Sequence, residues 1–149
     1  MQQARLSAAL THAHPDGQAG AVAVAVAAAC AATNLSVFEH VLAHTPPGPT
    51  RDGIVKAASL TAIDPVGVAA LLGDGTEVRS SDTAPLALWC AAQHMDSYEQ
   101  AIRLALAAGH RRSADRDTVC AIVGSIVVLA AGIESIPPKW RSAREPLDI

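Results

Sequence analysis

The chain has 149 residues, 50% of them hydrophobic, with 3% aromatic and 17% charged side chains. That length allows one domain, and the apolar share excludes intrinsic disorder, which needs few apolar residues and much charge. A net charge of −3 leaves no basic surplus to drive binding to nucleic acid or to an anionic membrane, so neither is expected as a partner.

The apolar residues are chiefly Ala, Val, Leu and Ile. Ala has the highest helix propensity and lets helices approach closely, so the composition predicts an all-α fold. Gln3–His12 reads as a short helix. The stretch from Thr11 to Gly17 reads as a turn, because it holds Pro15 and Gly17. Ala19–Thr33 follows as a helix. Its Ala-Val alternation imitates a buried strand, but Ala is a poor strand former and the run is too long. Ser36 is placed to cap a third helix reaching about His44. Thr45-Pro46-Pro47-Gly48-Pro49 is the clearest break in the chain.

Arg51–Thr61 reads as an amphipathic helix. Asp64-Pro65 opens another, to about Leu72, with proline in the first turn. Gly73–Thr76 is a loop, read as a plain turn in preference to an anion-binding nest. Ser81-Asp82-Thr83 reads as the cap of a helix from Pro85 to His94. Asp96-Ser97 caps a helix from Tyr98 to Ala108, closed by Gly109. His110–Ala114 is a basic loop, and a long apolar helix runs from near Asp115 to Gly132. Pro137-Pro138 starts a last short turn carrying Trp140, which with Trp89 is expected to anchor the core.

Residues 19–32 and 119–133 are apolar enough to suggest membrane spans, but both fall short of the roughly 20 residues a bilayer requires. They fit helices buried in a core. No basic segment leads into an apolar one at the N-terminus, so no signal peptide is expected. Cys30, Cys90 and Cys120 are odd in number and widely spaced, which argues against a disulfide framework and for reduced core thiols in the cytoplasm.

The segment with chemical content is Asp115-Arg116-Asp117-Thr118, directly before the apolar run from Val119. Helix N-termini favour anionic side chains, and two close carboxylates repel, so a cation between them would relieve a real cost. Asp115 and Asp117 converge if the first lies in the loop and the second in the first helical turn. Carboxylate and hydroxyl oxygens are hard ligands suited to Mg²⁺, Mn²⁺ or Ca²⁺. Asp, Ser and Thr before an apolar run are also ordinary caps, and Arg116 reads as a solvated partner for either aspartate. His40 and His44 lie four residues apart on one helix face, with no third ligand nearby.

Asp115-Arg116-Asp117-Thr118 with Cys120-Ala121-Ile122-Val123-Gly124, then Gly132, Ile136-Pro137 and Trp140, resembles the C-terminal signature of the ADP-ribosylglycohydrolase family, which includes the dinitrogenase reductase-activating glycohydrolases. Thr83-Ala84-Pro85-Leu86-Ala87-Leu88-Trp89 and Leu10-Thr11-His12 with its following Ala-rich helix are similar to two further family segments. The resemblance covers almost the whole chain. It implies an all-α orthogonal helical bundle, here the C-terminal part of that fold. It implies two Mg²⁺ ions, with Mn²⁺ as a substitute, and hydrolysis of the glycosidic bond between ADP-ribose and a modified protein side chain. Asp115, Asp117 and Thr118 match the family's C-terminal metal ligands, and His12 matches a residue near the ADP-ribose.

Family members are longer and carry an N-terminal Thr-Asp-Asp-Thr metal motif, whereas this sequence contains no Asp-Asp pair. Ser113-Ala114 stand where the family places glycines. The sequence is therefore expected to be incomplete as a catalyst, to expose apolar faces, and to pair as a homodimer or with a complementing N-terminal chain. The alternative is an inactive ADP-ribose- or metal-binding remnant.

Overall fold

The computed structural model describes residues 2–61 and 64–145. Among these there are nine α-helices and no strand: α1 (Gln2–Ala9), α2 (Pro15–Thr33), α3 (Val37–His44), α4 (Pro49–Ser59), α5 (Pro65–Leu72), α6 (Ser80–Gln93), α7 (Tyr98–Ala108), α8 (Arg116–Ala131) and α9 (Pro138–Ser142). A single 3₁₀ turn, Ile133–Ser135, follows α8. The all-α expectation holds.

α6 is the hub. It packs against α2, α4, α5, α7 and α8, and every residue from Thr83 to Ala91 is buried. Trp89 fills the centre of the core at 1% exposure and donates its indole N–H to Leu60 O. Trp140 is 37% exposed instead. Its ring lies edge-on to Tyr98, centroids 6.4 Å apart, and it is a surface contact on α9 rather than a core anchor. α2 is long and apolar enough to cross a membrane by length and composition, and here it packs against α1, α3, α4, α6 and α8.

Small residues set how closely the helices approach. A Cβ on Gly20 would lie 1.8 Å from Ser80 Oγ, so only glycine lets the start of α6 touch α2 there. Gly53 likewise receives the ring of Pro85 where α4 crosses α6, and Gly124 receives the Tyr98 hydroxyl where α8 meets α7.

Three helix starts differ from expectation. Pro15 and Pro49 are first-turn residues of α2 and α4, not parts of turns. The reason is general: the first helical N–H has no partner, so proline loses nothing there, and its fixed φ suits the helix. α6 begins at Ser80, with Arg79 as its N-cap, and Pro85 lies inside it. The Ser81–Thr83 cap is therefore corrected to the first turn of the helix. The Asp64 cap of α5 is as read: its carboxylate accepts from the Val66 and Gly67 amides.

Burial raises all three thiol pKa values, and burial with the neighbouring Cys120 pushes Cys90 up to about 12. All three cysteines are free.

Candidate functional site

Four helix N-termini open onto one cavity of about 990 Å³. α2 contributes His14 and Asp16, α4 Pro49, α6 Ser80, and α8 Asp115 and Thr118. Each helix presents its positive end there, an environment that favours anions. The far wall is apolar, with Val24 and Ala28 of α2 facing Ile122 of α8.

The start of α8 holds the sequence-predicted ligands. Asp115 is the N-cap and is half-buried. Its Oδ1 accepts from the Thr118 amide at 3.2 Å. Burial pushes the Asp115 pKa up, but hydrogen bonding with the side chain and amide of Thr118 outweighs it, so the carboxyl lies below its ordinary range. Asp115 and Thr118 line the cavity, while Asp117 and Thr118 line a shallow hollow beside it. Thr118 thus bridges the two, and Asp117 neighbours the cavity without lining it.

Arg116 does not pair with either aspartate. Its guanidinium turns away to the backbone oxygens of Gly109, His110 and Arg111. Among the described residues the ion pairs are Arg103–Glu99 and Arg141–Glu134, both remote from the cavity in sequence. Among the described residues, neither Asp115 nor Asp117 is thus paired with a basic side chain. That donor set suits a hard cation such as Mg²⁺ or Mn²⁺. It falls short of an octahedral shell, and no group of three His, Cys, Asp or Glu side chains able to hold an ion occurs among the described residues.

His12 lies exposed at the cavity rim. Its Nδ1 is 2.8 Å from Thr11 Oγ1, so Nε2 is the nitrogen left for a ligand. The ring is seated against Gly17. His14, inside the stretch read as a turn, is the N-cap of α2, its Nδ1 accepting from the Asp16 amide at 3.1 Å. His40 and His44 each turn Nδ1 to a backbone oxygen four residues earlier, Ser36 and His40, at 2.8 Å.

Sequence reasoning missed a second cluster. Asp16 accepts from the Thr50 amide at 3.0 Å and from the Thr50 hydroxyl at 2.9 Å. Thr50 Oγ1 also lies 3.0 Å from Ser80 Oγ. Thr50 is fully buried, so this network ties together the starts of α2, α4 and α6. The available signal was Pro15-Asp16 and Pro49-Thr50, two proline-led first turns.

The loop Gly73–Thr76 was also underread. Asp74 O accepts from the Asp115 amide at 3.0 Å. Gly75 has φ +85°, and a Cβ there would lie 2.4 Å from Asp115 Cβ. The loop is a wall behind Asp115.

No curated protein and no solved structure matches the chain. The family model described as ADP-ribosylglycohydrolase matches residues 1–148. That match supports a glycohydrolase-like function, and by it the chain belongs to the ADP-ribosylglycohydrolase family.

Proposed function

We propose that this chain serves Mg²⁺-dependent hydrolysis of the glycosidic bond between ADP-ribose and a modified protein side chain. The observation that carries the reading is the placing of Asp115, Asp117 and Thr118 together at the start of α8, with Thr118 and Asp115 on the wall of a cavity that His12 also lines. Asp115, Asp117 and the Thr118 hydroxyl would hold the cation. A divalent cation there orients sugar hydroxyls and makes a water more nucleophilic at neutral pH. The anomeric carbon would gain oxocarbenium character as the bond breaks. Four helix N-termini around the cavity suit a ligand carrying a diphosphate. Nε2 of His12 is free to hydrogen-bond that ligand at the rim.

Two carboxylates and one hydroxyl do not complete the coordination shell. Waters, the ligand and a complementing segment or chain would supply the rest, and a second copy of this chain is one such partner. Three free thiols suit a reducing, cytoplasmic setting. The same shortfall of donors favours a second reading, in which the chain binds metal and ADP-ribose without turnover.

Isothermal calorimetry with Mg²⁺, then with ADP-ribose, tests the site: heat with both is expected from the wild type, and none with Mg²⁺ from an Asp115→Asn, Asp117→Asn double variant. No heat from wild type with either ligand would sink both readings. Release of ADP-ribose from ADP-ribosyl-arginine by this chain alone would overturn the incompleteness and the remnant reading together.

A further inference from the structure

The loop that delivers Asp115 runs His110-Arg111-Arg112-Ser113-Ala114 without a glycine, yet it turns tightly enough for the Ala114 amide to reach Arg111 O at 3.2 Å. Two braces hold it. In one, Arg116 Nε donates to Gly109 O, and Nη2 donates to Arg111 O at 3.1 Å and His110 O at 3.4 Å. A guanidinium is a rigid fork of donors, and the end of a helix, here α7, is where its charge is favoured. In the other, Thr76 Oγ1 lies 2.6 Å from Asp74 Oδ1 and 3.2 Å from both O and Oγ of Ser113. Asp74 is itself buried and takes the Asp115 amide on its carbonyl.

We propose that Arg116 and Thr76 are positioning residues for the Asp115 carboxylate, fixing at two points the loop that presents it. Arg116 has a second effect. Tethered to three carbonyls, it stays off the two aspartates that flank it in sequence, so their charge remains available to a cation. Loss of the tether would loosen the loop. Where a shorter cation replaced it, that cation would be free to neutralise the site. The proposal rests on the metal reading of Asp115, and its test separates the two.

The variants are Arg116→Ala, Arg116→Lys and Thr76→Val. Two quantities are measured on the full chain: amide hydrogen exchange without metal, and Mn²⁺ binding followed by the electron paramagnetic resonance signal of the free ion. In Arg116→Ala, exchange at the Ala114 and Asp115 amides should rise about tenfold or more, and Mn²⁺ affinity should fall by roughly 10- to 100-fold, the range for loss of a residue that orients a ligand. The amides of Val123 and Ile126, inside α8, should keep their protection. Arg116→Lys should recover part of the loop protection, since one ammonium cannot reach three carbonyls, and less of the metal affinity. Thr76→Val should act in the same direction from the other point, and it keeps the test alive if Arg116→Ala fails to fold. Unchanged exchange at Ala114 and Asp115 in both single variants would overturn the bracing. Faster exchange with unchanged Mn²⁺ affinity would overturn the positioning role. Wild-type protein that takes up no Mn²⁺ would overturn the metal reading and the positioning role with it, while the exchange rates would still decide whether the braces exist.

Discussion

At the start of α2, the Asp16 carboxylate is met by the amide and hydroxyl of Thr50, and Ser80 closes the group. At the start of α8, across the same cavity, Asp115 is met by the amide and side chain of Thr118 from its own first turn, and its neighbour Asp117 is an exposed second carboxylate. Both clusters are an aspartate and a hydroxyl at a helix N-terminus. The first spends its lone pairs on protein donors and locks three helices. The second closes within one turn of one helix and keeps the exposed Asp117 carboxylate in reserve, at some electrostatic cost, as a ligand-binding site must. Residue type does not separate structure from function here; the range of the partners and the second, exposed carboxylate do.

The largest effect that sharpens this contrast is on stability. Asp16→Ala leaves the buried amide and hydroxyl of Thr50 without their acceptor. An unsatisfied buried donor costs about 1–3 kcal/mol, and Thr50 retains Ser80 as a partner for its hydroxyl, so the expected loss is ~2–3 kcal/mol. That corresponds to a melting temperature lower by about 5–10 °C, read by calorimetry or circular dichroism. A melting point that did not move would break the contrast, because the α2 cluster would then be no more structural than the α8 cluster.

A matched pair of glycines comes next. Gly75 and Gly132 have nearly the same positive φ, +85° and +82°. A side chain at either is strained, and at Gly132, with ψ 160°, by about 1–3 kcal/mol. A Cβ at Gly75 would also drive into Asp115, whereas one at Gly132 would meet nothing within 4 Å. Gly75→Ala should therefore lower both the melting point and Mn²⁺ affinity, the latter by about tenfold or more. Gly132→Ala should lower the melting point alone. Equal Mn²⁺ affinity in the two variants would show that Asp115 does not lean on the Gly73–Thr76 loop.

How much of this could be read in advance follows the range of the interactions. The α5 cap at Asp64, the α7 bounds Tyr98–Ala108 and the α8 start at Asp115 are written within a few neighbouring residues, and all three were legible. Pro15, Pro49 and Pro85 were not. Proline breaks a helix interior but suits a first turn, and the sequence alone does not say which of these a given proline occupies. Asp16 with Thr50, 34 residues apart, was invisible because only the tertiary crossing of α2, α4 and α6 brings the pair together. Arg116 was misassigned for a related reason. Sequence proximity to two aspartates suggested ion pairs, but three carbonyls at the end of α7 hold it more completely than one exposed carboxylate would.

The smallest expected effect isolates the charge held in reserve at α8. Asp117 lies in the first turn, where the helix's positive end favours its charge by about 0.3–1 kcal/mol. The nearby Asp115 carboxylate opposes that charge by repulsion. The two nearly cancel, so Asp117→Asn should alter metal-free stability by less than ~0.5 kcal/mol in either direction. With a divalent cation the balance tips. At a hundredfold excess over its dissociation constant, a ligand stabilises the folded state by about 2.7 kcal/mol. A variant binding tenfold more weakly forfeits roughly half of that at the same concentration. Melting curves of wild type and Asp117→Asn should therefore nearly superimpose without Mn²⁺ and separate with it. If they separate without the ion and converge in its presence, Asp117 is a capping charge, and the open cluster at α8 is as structural as the closed one at α2.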